Sequence, residues 1–260
     1  MVDLGTRPDP ITGKPVAVTQ FTVTPRTGNF FDPSDVYLVR VGEPLGSIYG
    51  YQVAGLWQPG DPCYLSNPTE CTPGEYKLVD QDGDSAITAA DRTILGYGEP
   101  KFYGGFGNTL TYGRFTLDAF FNFTYGNKII NAGKAYGCLA IMQANERTCV
   151  LDRWTTTHTN TDVPRPNRDR ARLLYSTFVE DGSYLRLQTL TLGYELPSGL
   201  IPGTSATRLY VTAQNLFTIT GYSGFDPDVN SQGGDATFGL IDIGAYPRQR
   251  VWNFGLTTTF

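Results

Sequence analysis

The chain has 260 residues, of which 17% are charged and 13% are aromatic, and its net charge is −5. An ordinary soluble domain carries about 25% charged residues, so this composition excludes a coiled coil and a highly charged disordered chain. The sequence contains no run of about 18 apolar residues that could form a transmembrane helix. The scattered arginines form no basic stripe, so we expect no nucleic acid partner.

The first part of the chain has a weak pattern. Residues 1–36 form a poorly defined N-terminal segment with several prolines, which are strand breakers, and with a possible short strand at 17–24. No signal-peptide pattern is seen there. Residues 37–57 are predicted to form one long strand or a kinked pair, and residues 58–100 a long polar loop.

The clearest pattern lies between residues 101 and 125. From residue 114 to residue 125, apolar and polar side chains alternate with a period of two, which predicts a strand with one apolar face. Residues 101–112 alternate less regularly, and only Gly113 separates the two segments. This spacing predicts a hairpin with a tight turn.

Three further strands are predicted at residues 174–196, 208–218 and 250–260. The connection at 197–206 is short, whereas the polar stretches at 126–172 and 219–249 are long. Such alternation of short and long connections is typical of a transmembrane β-barrel and unusual in a compact soluble domain. Periodicity alone leaves a secreted β-sandwich with one solvated sheet face equally open.

Several motifs along the chain resemble one family. Among them are Phe-Val-Glu-Asp-Gly-Ser-Tyr-Leu-Arg-Leu at 178–187 and Gln-Asn-Leu-Phe at 214–217. The others lie at 41–51, 55–57, 80–84, 91–96, 100–102, 107–108, 125–129, 153–154, 160–165, 190–194, 196–197, 222–228 and 246–247. In this order they resemble the C-terminal part of the SusC/RagA family of TonB-linked outer-membrane transporters, the TonB-dependent receptors.

The resemblance covers roughly residues 38–260 and implies the fold. It implies an all-β fold, an antiparallel transmembrane β-barrel segment with long extracellular loops, in which residues 37–260 are the C-terminal part of a larger barrel. Such barrels have about 22 strands and a plugged lumen. Neither five nor seven predicted strands can close one, so we expect the chain to be the C-terminal part of a transporter. The short connections at 113 and 197–206 would then face the periplasm.

The resemblance also implies function and partners. The protein would import a glycan or peptide substrate across the outer membrane of a Gram-negative bacterium, surrounded by outer-membrane lipid. It would not be an enzyme. The partners would be a SusD-like surface lipoprotein and the TonB complex, which acts through an N-terminal part not included here. Phe260, an aromatic residue at the end of the last strand, would carry part of the assembly signal.

Two other functions remain alternatives. One is a secreted calcium-binding β-sandwich that binds carbohydrate or a partner protein. The other is an extracellular glycosidase, although no pair of carboxylates is singled out by the sequence. The single histidine, His158, excludes a histidine-ligand zinc cluster and a Ser-His-Asp triad.

A calcium site is predicted in the loop at 80–91. Asp80, Asp82 and Asp84 have the spacing of the first ligands of an EF-hand-like loop. Ala86 would add its backbone carbonyl, and Asp91 the closing carboxylate. Position six is Ser85 where glycine is usual, so a solvated acidic turn is the alternative to a structural Ca²⁺ site.

The four cysteines form two local pairs, Cys63 with Cys71 and Cys138 with Cys149. They have neither CxxC spacing nor companion histidines, so disulfides are favoured over zinc.

Three other features of the loops have simple interpretations. We expect the arginine run at 165–172 to be a solvated loop, with lipopolysaccharide phosphates or the lipoprotein as alternative partners. Asp226 and Asp228, which flank Pro227, are expected to shape a turn. The loop aromatics are expected to pack among the loops rather than to stack on sugars; they are Trp154, Tyr222, Phe225 and Tyr246.

Overall fold

The computed structural model describes residues 4–9, 12–25, 31–141, 145–229, 231 and 238–260. Parts of the 1–36 segment and of the 219–249 loop lie outside these ranges. The described residues form strands and one α-helix, α1 (Ala132–Cys138), so the all-β prediction is confirmed. The 3-10 helices are Pro68–Cys71, Ala89–Asp91, Thr148–Asp152 and Ser176–Phe178. None of the described helices has the length and apolar character needed to cross a membrane.

The strands are numbered in chain order. They are β1 (Thr6–Pro8), β2 (Pro15–Ala17), β3 (Gln20–Val23), β4 (Tyr37–Arg40), β5 (Ser47–Tyr51), β6 (Val53–Leu56), β7 (Tyr76–Leu78), β8 (Arg92–Tyr97), β9 (Phe102–Tyr112), β10 (Phe115–Tyr125), β11 (Lys128–Asn131), β12 (Val179–Asp181), β13 (Tyr184–Glu195), β14 (Ala206–Thr220), β15 (Leu240–Asp242) and β16 (Val251–Thr259).

The five longest strands form one antiparallel sheet in the order β16-β14-β13-β10-β9. Four of them match predicted strands, because an alternation with a period of two is a local signal. The single strand predicted at 174–196 is only partly right: β13 covers its second half, whereas its first half contains the 3-10 helix Ser176–Phe178 and β12, which belongs to another sheet. Tyr112 pairs with Phe115 across a two-residue turn, in which Gly113 has a φ of +59°. Glycine adopts this left-handed conformation without a steric penalty, which explains the tight hairpin.

The prediction of one strand or a kinked pair over 37–57 is wrong. β4 and β5 pair with each other across the turn at 41–46, and β6 pairs with β7 in a separate two-stranded sheet. Gly42 and Gly46 have positive φ values of 93° and 70°, which glycine adopts without a steric penalty and which let the chain reverse between β4 and β5.

The long polar stretches also contain regular structure. β8 joins β3, β4 and β5 in a four-stranded sheet, and β11, β12 and β15 form a three-stranded sheet. β11 and β15 run parallel, although more than 100 residues separate them along the chain. Their pairing depends on distant segments, so local periodicity does not reveal it.

The chain divides into two compact units, each made of three segments. The loop unit comprises Met1–Glu99, Lys128–Glu180 and Val229–Ala245, and the sheet unit comprises Pro100–Asn127, Asp181–Asp228 and Tyr246–Phe260. The loop unit has a hydrophobic core, in which Tyr37, Ile48, Ile130 and Ile241 are fully buried. The sheet unit consists of the five-stranded sheet and the segments that adjoin its strand ends. The boundary between residues 36 and 37 remains a prediction.

Candidate functional site

The five-stranded sheet has one apolar and one polar face. Cross-strand neighbours in register share a face, and most rows across the sheet have one chemical character. Asn108 beside Ala119 and Phe120 beside Thr189 are exceptions. One apolar row is Leu110, Leu117, Leu192, Val211 and Phe254. A nearby polar row is Thr109, Asp118, Thr191, Thr212 and Asn253. The predicted alternation therefore holds from strand to strand.

The apolar face is largely exposed. Leu110 is 60% exposed, Trp252 56% and Phe254 80%. In a β-sandwich the apolar faces of two sheets pack together and exclude water. An exposed apolar face that crosses five strands is therefore not the arrangement expected of the sandwich alternative.

Aromatic residues lie near both ends of the β9–β10 hairpin. Near the turn, the Phe115 ring lies 4.7 Å from the Tyr194 ring, between centroids. At the opposite end, the Phe102 ring stacks on the Tyr125 ring with centroids 4.9 Å apart. The apolar rows between these ends include Leu117 and its neighbours, so the apolar face is bordered by aromatic rings.

A cluster of charged side chains lies at the end of the sheet where β13 begins and β14 ends. The Arg186 side chain is 2% exposed, and its Nη2 lies 2.5 Å from Oδ1 of Asp226. Its Nη1 lies 3.5 Å from Oδ2 of Asp228, and its Nε donates to Oγ1 of Thr218. Nη2 of Arg248 lies 2.8 Å from the same oxygen of Asp228.

The same cluster shapes the backbone. The N–H of Asp228 donates to Oδ1 of Asp226, and the N–H of Arg248 donates to Oδ2. Burial raises the pKa of the Asp226 carboxyl, but these two N–H groups and the Arg186 guanidinium lower the pKa more, so it lies below its usual value. The predicted turn role of Asp226 is confirmed. Arg186 and Arg248 were not among the predicted site residues, although Arg186 lies on the polar face of a predicted strand.

The loop at 80–91 brings three of the predicted calcium ligands together. One carboxylate oxygen each of Asp80, Asp82 and Asp84 lies within 4.8 Å of the other two. The N–H groups of Gly83 and Ser85 donate to Asp80, and the N–H of Ala86 donates to Asp84. The Asp91 carboxylate is not in this group; it is buried and accepts the N–H groups of Gln81 and Thr88.

The pKa values of two carboxyls in this loop are shifted in opposite directions. Desolvation raises the pKa of Asp80, but the N–H groups of Ser85 and Gly83 outweigh it, so this pKa is lowered. The N–H of Asp84 lowers the pKa of Asp82, but desolvation and the neighbouring carboxylates raise it more, so this pKa is raised. A cation among these three carboxylates would reduce their repulsion.

Both predicted disulfides are present. Cys63 is bonded to Cys71 and Cys138 to Cys149, with Cα atoms 5.6 Å apart in each pair. The segment that the first disulfide closes contacts the acidic loop, because the N–H of Ser66 donates to the carbonyl of Ser85 over 2.7 Å. The second joins α1 to the following 3-10 helix.

The arginine run at 165–172 is not simply solvated, which corrects the expectation for Arg170. The Arg170 side chain is 4% exposed, and its Nε and Nη2 donate to one oxygen of Glu75. Arg165 and Asn167 donate to the other oxygen of the same carboxylate. These contacts fix this segment against Glu75 within the loop unit.

The loop aromatics divide into two groups. Trp154 and Tyr222 are buried, as the expected packing requires, whereas Phe225 and Tyr246 are 74% and 82% exposed. Phe260 follows β16 and is also exposed, and its role in assembly remains a prediction.

Comparison with known proteins identifies relatives of the chain, although no family model matches it. TonB-dependent receptor P3 of Formosa agariphila is 39% identical over 236 residues, which are 86% of this chain and 23% of that protein. TonB-dependent receptor SusC of Bacteroides thetaiotaomicron is 26% identical over 227 residues, 85% of this chain and 20% of that protein. The chain thus spans about a quarter of the length of these relatives or less.

Solved structures agree with the sequence comparison. A structure of the RagAB peptide transporter matches 94% of this chain and 25% of its own chain, with 25% identity and a TM-score of 0.70. The RagAB peptide importer in its open-open state matches 94% of this chain with 24% identity and a TM-score of 0.66. The predicted resemblance to the TonB-dependent receptors of the SusC/RagA type is confirmed.

Proposed function

We propose that this relative of the TonB-dependent receptors forms part of the wall of an outer-membrane nutrient importer. The five-stranded sheet would be a section of a closed antiparallel barrel. The observation that carries the proposal is the exposed apolar face, which crosses all five strands opposite a polar face. In an outer-membrane barrel the apolar face contacts lipid and the polar face lines the lumen.

The dimensions of the sheet support the proposal. Phe102 and Tyr112 are the ends of β9, ten residues apart, and a rise of about 3.3 Å per residue makes this about 33 Å along the strand. A tilt of about 40° reduces the height across the membrane to about 25 Å, the height of the apolar band in such barrels. The aromatic rings at both ends would then lie at the two interfaces.

The function would be passage rather than catalysis. The polar face, with its threonine hydroxyls and Asp118, would line the lumen through which a glycan or peptide enters. Peptide import is what the RagAB structures are named for. The partners would be a SusD-like surface lipoprotein at the long loops and the TonB complex acting through another part of the receptor.

One pair of substitutions tests the orientation of the sheet. Leu190 and Thr191 are adjacent residues of β13 near the middle of the sheet. Leu190 lies between Ala119 and Ala213 on the apolar face, and Thr191 lies between Asp118 and Thr212 on the polar face.

Leu190→Arg should destabilise the full-length receptor by about 2–4 kcal/mol, because it places a charge in lipid at mid-membrane. Thr191→Arg should be tolerated, because the new guanidinium would meet water and the Asp118 carboxylate. The effect of each substitution is measured by the amount of folded receptor in the outer membrane and by the unfolding of the receptor in urea. Equal tolerance of the two substitutions would reject the barrel.

We also propose a structural calcium ion in the loop at 80–91. The convergence of the Asp80, Asp82 and Asp84 carboxylates supports this proposal, and so does the raised pKa of Asp82. Calcium would order the loop next to the first disulfide and would take no part in chemistry. An extracellular site needs a dissociation constant of only about 10⁻⁴–10⁻³ M.

A further inference from the structure

A polar groove opens at the end of the sheet where the Arg186 cluster lies. It has a volume of about 300 Å³ and is lined mainly by polar groups. Among the lining residues are Arg186, Asn215, Phe225, Asp226, Arg248 and Arg250. All of them belong to the sheet unit.

Asp226, which lines the groove, and Asp228, which lies two residues further along the chain, already have partners. Asp226 accepts Arg186 and two backbone N–H groups, and Asp228 pairs with Arg186 and Arg248. Arg250 is exposed and has no ion-pair partner among the residues that the structure describes. Among the described residues, three guanidinium groups therefore meet two carboxylates, which leaves one positive charge at the groove uncompensated.

The backbone holds Arg250 at the edge of the groove. Asn215 has a φ of 52° where the register of β14 against β13 shifts, and its Nδ2 donates to the carbonyl of Gln249 over 3.0 Å. Residue 249 directly precedes Arg250, so this bond fixes the start of β16 beside the groove. Bulges of this kind often redirect side chains at binding sites.

An apolar surface adjoins the charge. The Phe225 ring is 74% exposed, and Pro227 and Pro247 also line the groove. A ligand with a carboxylate next to an apolar surface would match both features. The guanidinium of arginine binds carboxylates through two parallel hydrogen bonds, which neutral groups cannot reproduce.

We propose that this groove binds a carboxylate group of the imported substrate. Arg250 would bind the carboxylate, and Phe225 would contact the apolar part of the ligand. The role in import rests on the proposed function, but binding at the groove can be measured without transport. An acidic sugar and an acidic peptide both supply this chemistry, whereas their neutral counterparts do not.

Calorimetry on the full-length receptor in detergent tests the proposal with two pairs of probes. One pair is a glucuronic acid oligosaccharide and a glucose oligosaccharide of equal length. The other is a short peptide ending in glutamate and the same peptide ending in glutamine amide. The acidic member of at least one pair should bind more tightly than the neutral one, by about tenfold to a hundredfold, the range for hydrogen bonds between charged groups. The pair that shows the preference identifies the source of the carboxylate.

Arg250→Met should remove the preference for the acidic over the neutral probe, and Arg250→Lys should retain part of this preference. Arg114→Met is the matched control, because Arg114 is an exposed arginine of the same unit at the opposite end of the sheet. Equal binding of acidic and neutral probes, or an equal loss with Arg114→Met, would overturn the proposal. Failure of the Leu190 and Thr191 comparison would instead reject the barrel, whatever these titrations show.

Discussion

Replacing Asp226 by asparagine should loosen the loop that follows β14. The substitution keeps the shape of the side chain but removes the charge that faces the buried Arg186 guanidinium. Asparagine can also accept only through one oxygen, so either the N–H of Asp228 or that of Arg248 loses its partner.

The magnitude follows from the geometry. Removing one partner of a buried ion pair typically costs about 3–5 kcal/mol. Asp228 remains 3.5 Å from Arg186 and compensates part of the charge, so we expect about 2–3 kcal/mol, below the full penalty. That free energy corresponds to a rise of about 30- to 140-fold in the local opening equilibrium.

Amide hydrogen exchange of the full-length receptor measures this opening. Peptides that contain Asp228 and Arg248 should exchange faster by that factor, since their N–H groups bind Asp226. Asp152→Asn is the control, because Asp152 pairs with His158 at the surface and is 66% exposed. Such an exposed pair contributes about 0–1 kcal/mol. A change below threefold in the Asp226 variant, or one no larger than in the control, would refute the reasoning.

The contribution of Asp226 to stability depends on pH, and the direction of this dependence follows from its pKa. The pKa of Asp226 in the folded protein is lowered, so its contribution to stability is present above the usual carboxyl pKa of about 3.9. The contribution is lost as the pH falls through the lowered pKa. Protection of the two amides should therefore persist to about pH 4 and decline only in stronger acid.

Three other predictions concern the loop unit. Calorimetric titration of calcium into chelator-treated receptor should give a binding heat that the Asp82→Ala/Asp84→Ala variant lacks; no heat with the wild type would leave a solvated acidic turn. Mass spectrometry of unreduced tryptic peptides should recover both disulfides, and free thiols would contradict them. Gly74→Ala should destabilise the unit by about 1–3 kcal/mol, because its Cβ would lie 2.6 Å from the Trp154 ring at a φ of +85°. Gly60→Ala, with a φ of +91° but open space, should cost less in thermal unfolding, and equal costs would show that the ring adapts.

The sequence predicted the sheet unit well. Strands β9, β10, β13, β14 and β16 follow from alternation, because the side chains of a strand report its two faces locally. The pairing of the cysteines follows from their short separation along the chain. The meeting of Asp80, Asp82 and Asp84 likewise depends only on neighbouring residues.

The sequence did not predict contacts between distant segments. Arg170 appeared to belong to a solvated run, but its partner Glu75 lies 95 residues earlier. Arg186 meets Asp226 over a separation of 40 residues. The parallel pair of β11 and β15 is equally non-local. Composition and periodicity identify the apolar face of a segment. They do not identify the distant segment that packs against this face.

The interleaving of the two units has a consequence for the order of folding. The hydroxyl of Tyr37 donates to the carbonyl of Gly239, which lies 202 residues later in the chain. Contacts of such high sequence separation require the closure of long loops and slow the folding of a domain. The core of the loop unit therefore stays incomplete until almost the whole chain has been synthesised and delivered. Until then its apolar side chains need protection from aggregation.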